Sequence, residues 1–396
     1  MTVTLADLQR LREALSAARY SYCGGGTHSF YHYPARFSPD IARAVIEMFS
    51  EPGDLILDPF MGGGTSVIEG LCLGRRMAGT DLNALAHFVA AVRTTPLASS
   101  DEEALRRWAS RVADRCGEDG VERRSSQPVP NLPRAVEAFM TRALALSDEL
   151  AFPRQKALAR CALLRLGQLL LDCRDFSAPG ERLLAARLPQ LTHEMLKGLA
   201  QFVDACRASG IPKNAIVGRR VLVHRSAIGL HEDPRLQALG EQPRLVFTSP
   251  PYPSVHVLYH RWQYRGRRET PAPYWIARVP DGYCASHYMG GSRTPTGRKR
   301  YFEMIEAAFR SVREVLDPKG LVVQLVGFSD AEYQLERYLA AMAAAGFDEV
   351  MIAGKHDRLN RRVPNRKWYA RLKGAVDASS EVLLIHRPST SRRSRS

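Results

Sequence analysis

Thr248-Ser249-Pro250-Pro251-Tyr252 closes a short apolar run from Leu245 to Phe247 and puts a hydroxyl, two prolines and a phenol side by side. Proline has a fixed φ and no N–H, and the residue before a proline avoids the helical region, so the stretch offers hydroxyl and carbonyl acceptors with few competing donors. The group that suits such acceptors is a planar exocyclic amine. The amine of a nucleobase is a weak nucleophile because its lone pair is delocalised into the ring. Acceptors that draw the nitrogen toward tetrahedral geometry act on the charge that develops as it reacts. The expectation is that the Ser249 hydroxyl and the Pro250 carbonyl each accept from the amine, that Pro250 and Pro251 keep the turn rigid, and that Tyr252 stacks on the base. Taken alone, Pro-Pro-Tyr reads as a strand ending in a proline-rich turn.

A second motif changes that reading. Asp58-Pro59-Phe60-Met61-Gly62-Gly63-Gly64-Thr65 follows the strand-like Leu55-Ile56-Leu57 and opens a helical pattern through Val67, Ile68, Leu71 and Leu73. Strand, glycine turn and helix in this order let backbone approach a ligand closely, and the helix N-terminus brings free N–H groups that favour a carboxylate or another electron-rich group. Met77-Ala78-Gly79-Thr80 then ends in Asp81, about twenty residues on, where a nucleotide-binding half-fold places an acid on the ribose hydroxyls. Gly62 to Gly64 runs on into Thr65-Ser66-Val67, so the dinucleotide pattern G-x-G-x-x-G is not matched, which argues against a nicotinamide or flavin enzyme. The plain alternative for Asp81 is a helix cap before Leu82-Asn83.

With both motifs in view, the chain resembles the S-adenosylmethionine-dependent amino-methyltransferases of DNA, and within them the cytosine-N4 branch of restriction-modification type. The resemblance implies that the D-P-F-x-G-x-G-T loop, with Asp58, Phe60, Gly62, Gly64 and Thr65, binds S-adenosylmethionine together with Asp81, and that the tetrad Ser249 to Tyr252 binds the target amine. Serine at the head of the tetrad is usual for cytosine-N4 enzymes and aspartate for adenine-N6 enzymes. His32-Tyr33-Pro34-Ala35-Arg36-Phe37 looks like the family segment that closes over the methionine part of the cofactor, with Arg36 on its carboxylate and Phe37 packed nearby. A turn before a helix capped by Ser38, with Pro39 at its first position, accounts for the same residues equally well. The cofactor loop precedes the tetrad, which points to the cofactor-first subgroup. The stretch from Tyr252 through Leu258-Tyr259-His260-Arg261-Trp262 to Trp275 also looks like a cytosine-N4 subgroup.

The 396 residues carry 56 Lys and Arg against 41 Asp and Glu, a formal charge of +15 that suits a polyanionic partner, double-stranded DNA in this reading. Basic residues cluster at Arg261, Arg265, Arg267 and Arg268, at Arg293, Arg298, Lys299 and Arg300, and from Lys355 through Arg358, Arg361 and Arg362 to Arg366 and Lys367. The first and last clusters interleave with Trp262, Tyr264, Trp368 and Tyr369, which add flat faces. A charge run elsewhere is ordinarily a solvated surface. The seven cysteines are scattered without a C-x-x-C pair, suiting reduced thiols in a cytoplasmic protein, and no metal site is expected, the His28 and His32 pair lacking further ligands at the right spacing. Asp7, Arg10, Arg12 and Glu13 interrupt the first helical pattern, so neither a secretory signal nor a membrane span is expected.

The elements that must position these motifs read as α/β: a doubly wound, Rossmann-like methyltransferase sheet with an antiparallel edge hairpin and a helical insertion. Strands are expected at Leu55–Asp58, Met77–Asp81, Arg220–His224, Leu245–Thr248, Leu321–Val326, Glu349–Ala353 and Glu381–His386, with a loop bearing Arg358 to Lys367 before the last. The best-defined helix runs from about Lys299 to Leu316, stopped by Pro318 and Gly320. Residues 1–94 and 219–388 form the catalytic domain, 95–218 a helical insertion serving recognition or dimerisation, and 389–396 a basic disordered tail. In the insertion, helices are expected at Ala135–Leu150, Arg154–Cys173 and Arg182–Cys206, and the stripe from Leu163 to Leu171 reads as buried packing. The loop from Pro253 to Thr296 is too long for an ordinary connection and is the other candidate DNA reader. Rival readings remain open: adenine N6 or a guanine amine in RNA as target, or a nucleic-acid-binding module without catalysis. Carbon-5 methylation of cytosine is disfavoured, since that chemistry uses a nucleophilic cysteine after a proline and no cysteine here follows one. Oligomeric state is not readable.

Overall fold

The computed structural model describes residues 5–17, 26–32, 38–115, 128–172, 178–253, 261–265, 268–281, 294–328, 330–350, 358–363 and 379–390. Its strands are β1 Leu55–Asp58, β2 Arg76–Asp81, β3 Arg220–His224, β4 Leu245–Thr248, β5 Trp262–Tyr264, β6 Arg268–Thr270, β7 Leu321–Phe328, β8 Phe347–Glu349, β9 Leu359–Val363 and β10 Ser379–Pro388. The main sheet runs β3-β2-β1-β4-β7-β10-β8, with β9 also on β10. The pairs β2/β3, β1/β2, β1/β4 and β4/β7 are parallel, and β10 enters antiparallel between β7 and β8. Strand order reverses between β1 and β4, and in such sheets the crevice at the carboxyl ends of the strands at that point is where ligands sit.

Side-chain alternation divides the sheet between two cores. Ile56, Leu245, Phe247, Val323 and Leu383 point into one, while Leu55, Leu57, Val246, Val322 and Leu384 point into the other. Both faces of these strands are therefore covered, which is why their sequences read as continuous apolar runs. The first core is filled by helices from the N-terminal half: α1 Leu5–Ala17, α2 Pro39–Phe49, α3 Thr65–Cys72, α4 Ala84–Arg93, α5 Ser99–Asp114, α6 Arg134–Asp148, α7 Pro153–Leu170 and α8 Glu181–Ala208. The second is covered by α11 Pro295–Val315 and α12 Ala331–Ala344, with the one-turn α9 Pro234–Gln237 at its margin and α10 Ala272–Ala277 on the opposite side against α7 and α4.

The buried side chains of helices α5 to α8 are continuous with the first core. Leu163, Leu164, Leu166 and Leu171 are buried in the same cluster as Ile56 and Phe247. The buried Asp101 ties α5 to α7, accepting from Arg154 Nε at 2.6 Å and Gln155 Nε2 at 2.8 Å. The helices of the insertion pack on one another and, through α7 and α8, on α4 and α3, which lie against the sheet.

Among the differences from the sequence reading, three have a local cause. The strand expected at Glu349–Ala353 lies at Phe347–Glu349, directly after Gly346, whose φ of 88° turns the chain out of α12; residues 351–357 fall outside the described set. Part of the expected Arg358 to Lys367 loop is strand β9. The ten-residue β10 outruns the three-residue β8, and β9 takes up the backbone groups that would otherwise form an open edge. Helix α11 starts at Pro295 rather than near Lys299, because Thr294 Oγ1 accepts from Gly297 N–H and caps it one turn earlier.

Candidate active site

The carboxyl ends of β2, β1 and β4 bring Asp81, Asp58 and Ser249 to one rim of the sheet, and the two sequence motifs are joined there by a direct bond: Thr248 Oγ1 donates to Asp58 Oδ1 at 2.6 Å. Asp58 is fully buried. Its carboxylate also accepts from Ser66 Oγ and from Phe60 N–H at 3.1 Å, so strand β1, the glycine turn, α3 and β4 all close on one side chain. Burial pushes its carboxyl up to about 6, against the opposing pull of those hydrogen bonds. Asp58 thus shapes the loop from within.

The glycine turn is held by its own backbone. Gly62 has φ 49° and Gly64 has φ 80°, and a Cβ on Gly64 would lie 2.9 Å from Ala90 Cβ, so both the dihedral and the close approach to α4 require glycine. Four N–H groups of the turn that leads into α3 are engaged: Phe60 on Asp58, Met61 on Thr80 O, Gly62 on Asp81 Oδ2 and Gly64 on Met61 O. Gly63 and the first turn of α3, starting at the buried Thr65, are the remaining donors. Phe60 is half-buried, its ring 6.3 Å from that of Phe309 in the second core.

Asp81 sits half-exposed at the end of β2. Its Oδ2 accepts from Gly62 N–H at 2.9 Å and its Oδ1 from Asn83 N–H at 2.8 Å; desolvation raises its pKa and these two bonds hold it down. The helix cap suggested for Asp81 belongs to Asn83, whose Oδ1 accepts from Leu85 and Ala86 N–H at the start of α4. Next to it Leu82 is 44% exposed, an apolar face beside an oriented carboxylate.

In the tetrad, Ser249 is half-exposed and its hydroxyl donates to Tyr252 Oη at 3.3 Å. Tyr301 Oη donates to the Pro251 carbonyl at 2.9 Å, which fixes the turn against α11. Among the described residues no donor reaches the Pro250 carbonyl. Tyr252 departs from expectation: its ring is buried in the second core with Tyr301, Phe328 and Tyr338, and its hydroxyl donates to Glu381 Oε1 at 3.0 Å. It is clamped from the side of β10 and presents little surface for stacking.

Several residues at the site escaped the sequence reading. Arg93, the last residue of α4, is 1% exposed and donates to the Gly63 carbonyl at 2.6 Å, the His28 carbonyl at 3.0 Å and the Tyr31 carbonyl. One guanidinium therefore locks the glycine turn to the segment that leads into Arg36 and Phe37, which themselves lie outside the described residues. That segment is tied down further where Gln168 exchanges two hydrogen bonds with the backbone of His32. The available signal was an arginine ending an otherwise apolar helix. Asn83 Nδ2 donates to Tyr274 Oη at 2.9 Å and so links the Asp81 turn to α10. Glu381, on β10, carried no local signal.

The residues expected to contact DNA separate. Trp262 is 1% exposed; its ring packs over Gly167 of α7 and its Nε1 donates to Tyr31 Oη, so it is a core anchor and not an open stacking face. Arg261 is half-buried and paired with Asp281 at 2.5 Å. Arg265 and Arg268 stand exposed at the tip of the β5–β6 hairpin, with Arg265 at φ 48° and its guanidinium 5.5 Å from the Tyr264 ring; Arg267 lies outside the described residues. Arg298 lies 5.9 Å over Tyr333, and Lys299 is exposed 3.8 Å from Glu303. Arg361 and Arg362 are on β9, and their side chains lie outside the described set. No helix among the described residues is long and apolar enough to cross a membrane.

Comparison with known proteins agrees with this geometry where it applies. Residues 14–90 match the N6_N4_Mtase family, described as DNA methylase. Type II methyltransferase M.MvaI from Kocuria varians is 40% identical over 77 residues, which span 19% of this chain and 17% of that protein. Among solved structures, TrmN from Thermus thermophilus is 12% identical with a TM-score of 0.32, covering 89% of this chain and 49% of that one. The rRNA methyltransferase aviRa from Streptomyces viridochromogenes is 13% identical with a TM-score of 0.32, covering 93% and 96%. The fold assignment stands on the strand order above and not on these two overlays.

Proposed function

We propose, from the match of residues 14–90 to the DNA methylase family model, that the whole chain transfers a methyl group from S-adenosylmethionine to the N4 amine of a cytosine flipped out of duplex DNA. The observation that carries the proposal is the Thr248–Asp58 hydrogen bond of 2.6 Å, because it fixes the amine-binding tetrad against the glycine turn. The residues at the rim fit the cofactor: the oriented, half-exposed Asp81 has lone pairs left for ribose hydroxyls, and the exposed Leu82 supplies an apolar surface for adenine. When bound, S-adenosylmethionine supplies a methyl group on a positively charged sulfur.

The chain's own residues then do the positioning. Ser249 Oγ donates its proton to Tyr252 and so turns its lone pairs toward the amine, and the Pro250 carbonyl is the second acceptor. Together they draw the amine out of conjugation, which is useful only as charge develops on nitrogen. Extrusion of the base costs a few kcal/mol, and phosphate contacts from exposed cations such as Arg265, Arg268 and Lys299 offset it. The Kocuria varians relative is a Type II methyltransferase, which supports a restriction-modification setting for this chain.

The test is to incubate the purified protein with duplex DNA and isotopically labelled S-adenosylmethionine, digest the DNA to nucleosides and identify the product by mass spectrometry. N4-methylcytosine, lost in Ser249→Ala, supports the reading. N6-methyladenine would keep the chemistry and move the target. No labelled nucleoside from DNA of any sequence would refute it.

A further inference from the structure

The tetrad does not end at its tyrosine. From Ser249 Oγ a hydrogen bond of 3.3 Å leads to Tyr252 Oη, and from there one of 3.0 Å leads to Glu381 Oε1, a carboxylate only 3% exposed on the opposite side of the turn. Glu381 comes from β10, the strand inserted antiparallel beside β7, more than a hundred residues downstream of the tetrad. Burying a carboxylate in a sheet interior is costly unless hydrogen bonding or charge compensates. A phenol such as Tyr252 needs only one acceptor, and a glutamine would provide it without the charge. The hydroxyl chain that begins at Ser249 thus ends, at its inner end, on an ionisable group.

We propose that Glu381 is the terminal proton acceptor of the transfer reaction, acting through Tyr252 and Ser249. This rests on the reading of Ser249 as the amine-binding residue. As the new N–C bond forms, the C–S bond breaks and its electron pair stays on sulfur, which becomes a neutral thioether, while the amine nitrogen acquires the positive charge. That nitrogen passes one proton to Ser249 Oγ. Ser249 passes its own hydroxyl proton to Tyr252 Oη, and Tyr252 passes its proton to the Glu381 carboxylate, leaving a neutral methylated base and a carboxylic acid. The acid returns its proton to solvent along the same chain once the product has left. No metal, second base or covalent enzyme adduct enters this balance. Glu381 does not touch the substrate and is a positioning and proton-receiving residue. Among the described residues, the groups that face it are Tyr252, with Tyr301 and Tyr338 in the same core as that ring.

The decisive variant is Glu381→Gln, which keeps an acceptor for the Tyr252 hydroxyl and removes only the basicity. A structural role for Glu381 survives it and a proton-accepting role does not. Single-turnover methyl transfer to duplex DNA is expected to slow roughly a hundredfold, with cofactor and DNA affinities within about twofold of wild type and an unchanged thermal midpoint. The acid limb of the pH–rate profile should vanish in Glu381→Gln and return, at a reduced rate, in Glu381→Asp. A readout without turnover accompanies these: in the free protein, the tyrosinate absorbance owed to Tyr252, taken as the difference between each protein and its Tyr252→Phe counterpart, should develop at lower pH in Glu381→Gln, where the neighbouring negative charge is gone. If Glu381→Gln matches wild type in rate and profile while Ser249→Ala is inactive, the relay is wrong and the amine site stands. If Ser249→Ala itself transfers at the wild-type rate, both readings fall.

Discussion

Replacing Asp58 with Asn tests how the two motifs are joined, and its size follows from burial. The Asp58 carboxyl is displaced from an ordinary 3.8 to about 6, with desolvation the largest cause. The folded protein therefore binds this proton more tightly than the unfolded chain does. Stability from the group is fully present below about pH 4 and is lost as pH rises through about 6, after which the charged form carries the whole penalty. At about 1.4 kcal/mol per tenfold change in affinity, the penalty is roughly 3 kcal/mol at neutral pH. Asparagine keeps an oxygen for Thr248 Oγ and Phe60 N–H and asks the Ser66 hydroxyl to accept instead of donate. The expected result is a difference in unfolding free energy, Asp58→Asn minus wild type, that grows in favour of the variant by roughly 3 kcal/mol between about pH 3 and pH 7.5. Urea unfolding followed by far-ultraviolet circular dichroism at several pH values measures it, because contributions from other titrating groups cancel in the difference. A difference that stays constant to within about 0.5 kcal/mol across that window would show that Asp58 is not a buried, strained carboxylate.

Three further outcomes are expected. Arg93→Met strands the Gly63, His28 and Tyr31 carbonyls in the interior, so stability should fall by roughly 3–5 kcal/mol. Cofactor affinity, read by titration calorimetry, should fall with it as the glycine turn loses its strut; unchanged affinity would show that the turn holds itself. Gly167→Ala places a Cβ 2.2 Å from the Trp262 ring, so overpacking should cost about 1–3 kcal/mol and displace the β5–β6 hairpin, weakening DNA binding more than cofactor binding when each ligand is titrated separately. Arg265→Ala with Arg268→Ala should weaken binding to any duplex alike and lower the slope of log affinity against log salt by about 2, as measured by fluorescence anisotropy over a salt series; an unaltered slope would place the phosphate contacts elsewhere.

Much of the site was legible because its parts are local. Glycine at positive φ, proline without an N–H and an acid at a strand end are constraints imposed within a few residues, so the turn at Gly62 and Gly64, the strand end at Asp81 and the proline turn after Thr248 could be read locally, and the parallel strands through runs such as Leu55-Ile56-Leu57 buried on both faces. The less local assignments changed. Trp262 stands in a basic, aromatic stretch and reads as a binding face, yet its indole is spent on Gly167 and Tyr31; β9 reads as a charged loop until the length of β10 leaves an edge for it to fill.

What the sequence by itself determined is the order of strand, glycine turn and tetrad, and the chemical types gathered there, since these follow from dihedral limits and side-chain inventory. Only the tertiary structure decided what each group is bonded to. Asp58 meets Thr248 across 190 positions and Tyr252 meets Glu381 across 129, and no periodicity within a segment encodes such pairs. They exist because parallel crossovers and one antiparallel return bring distant strand ends together, and buried polar groups there must satisfy one another in the absence of water.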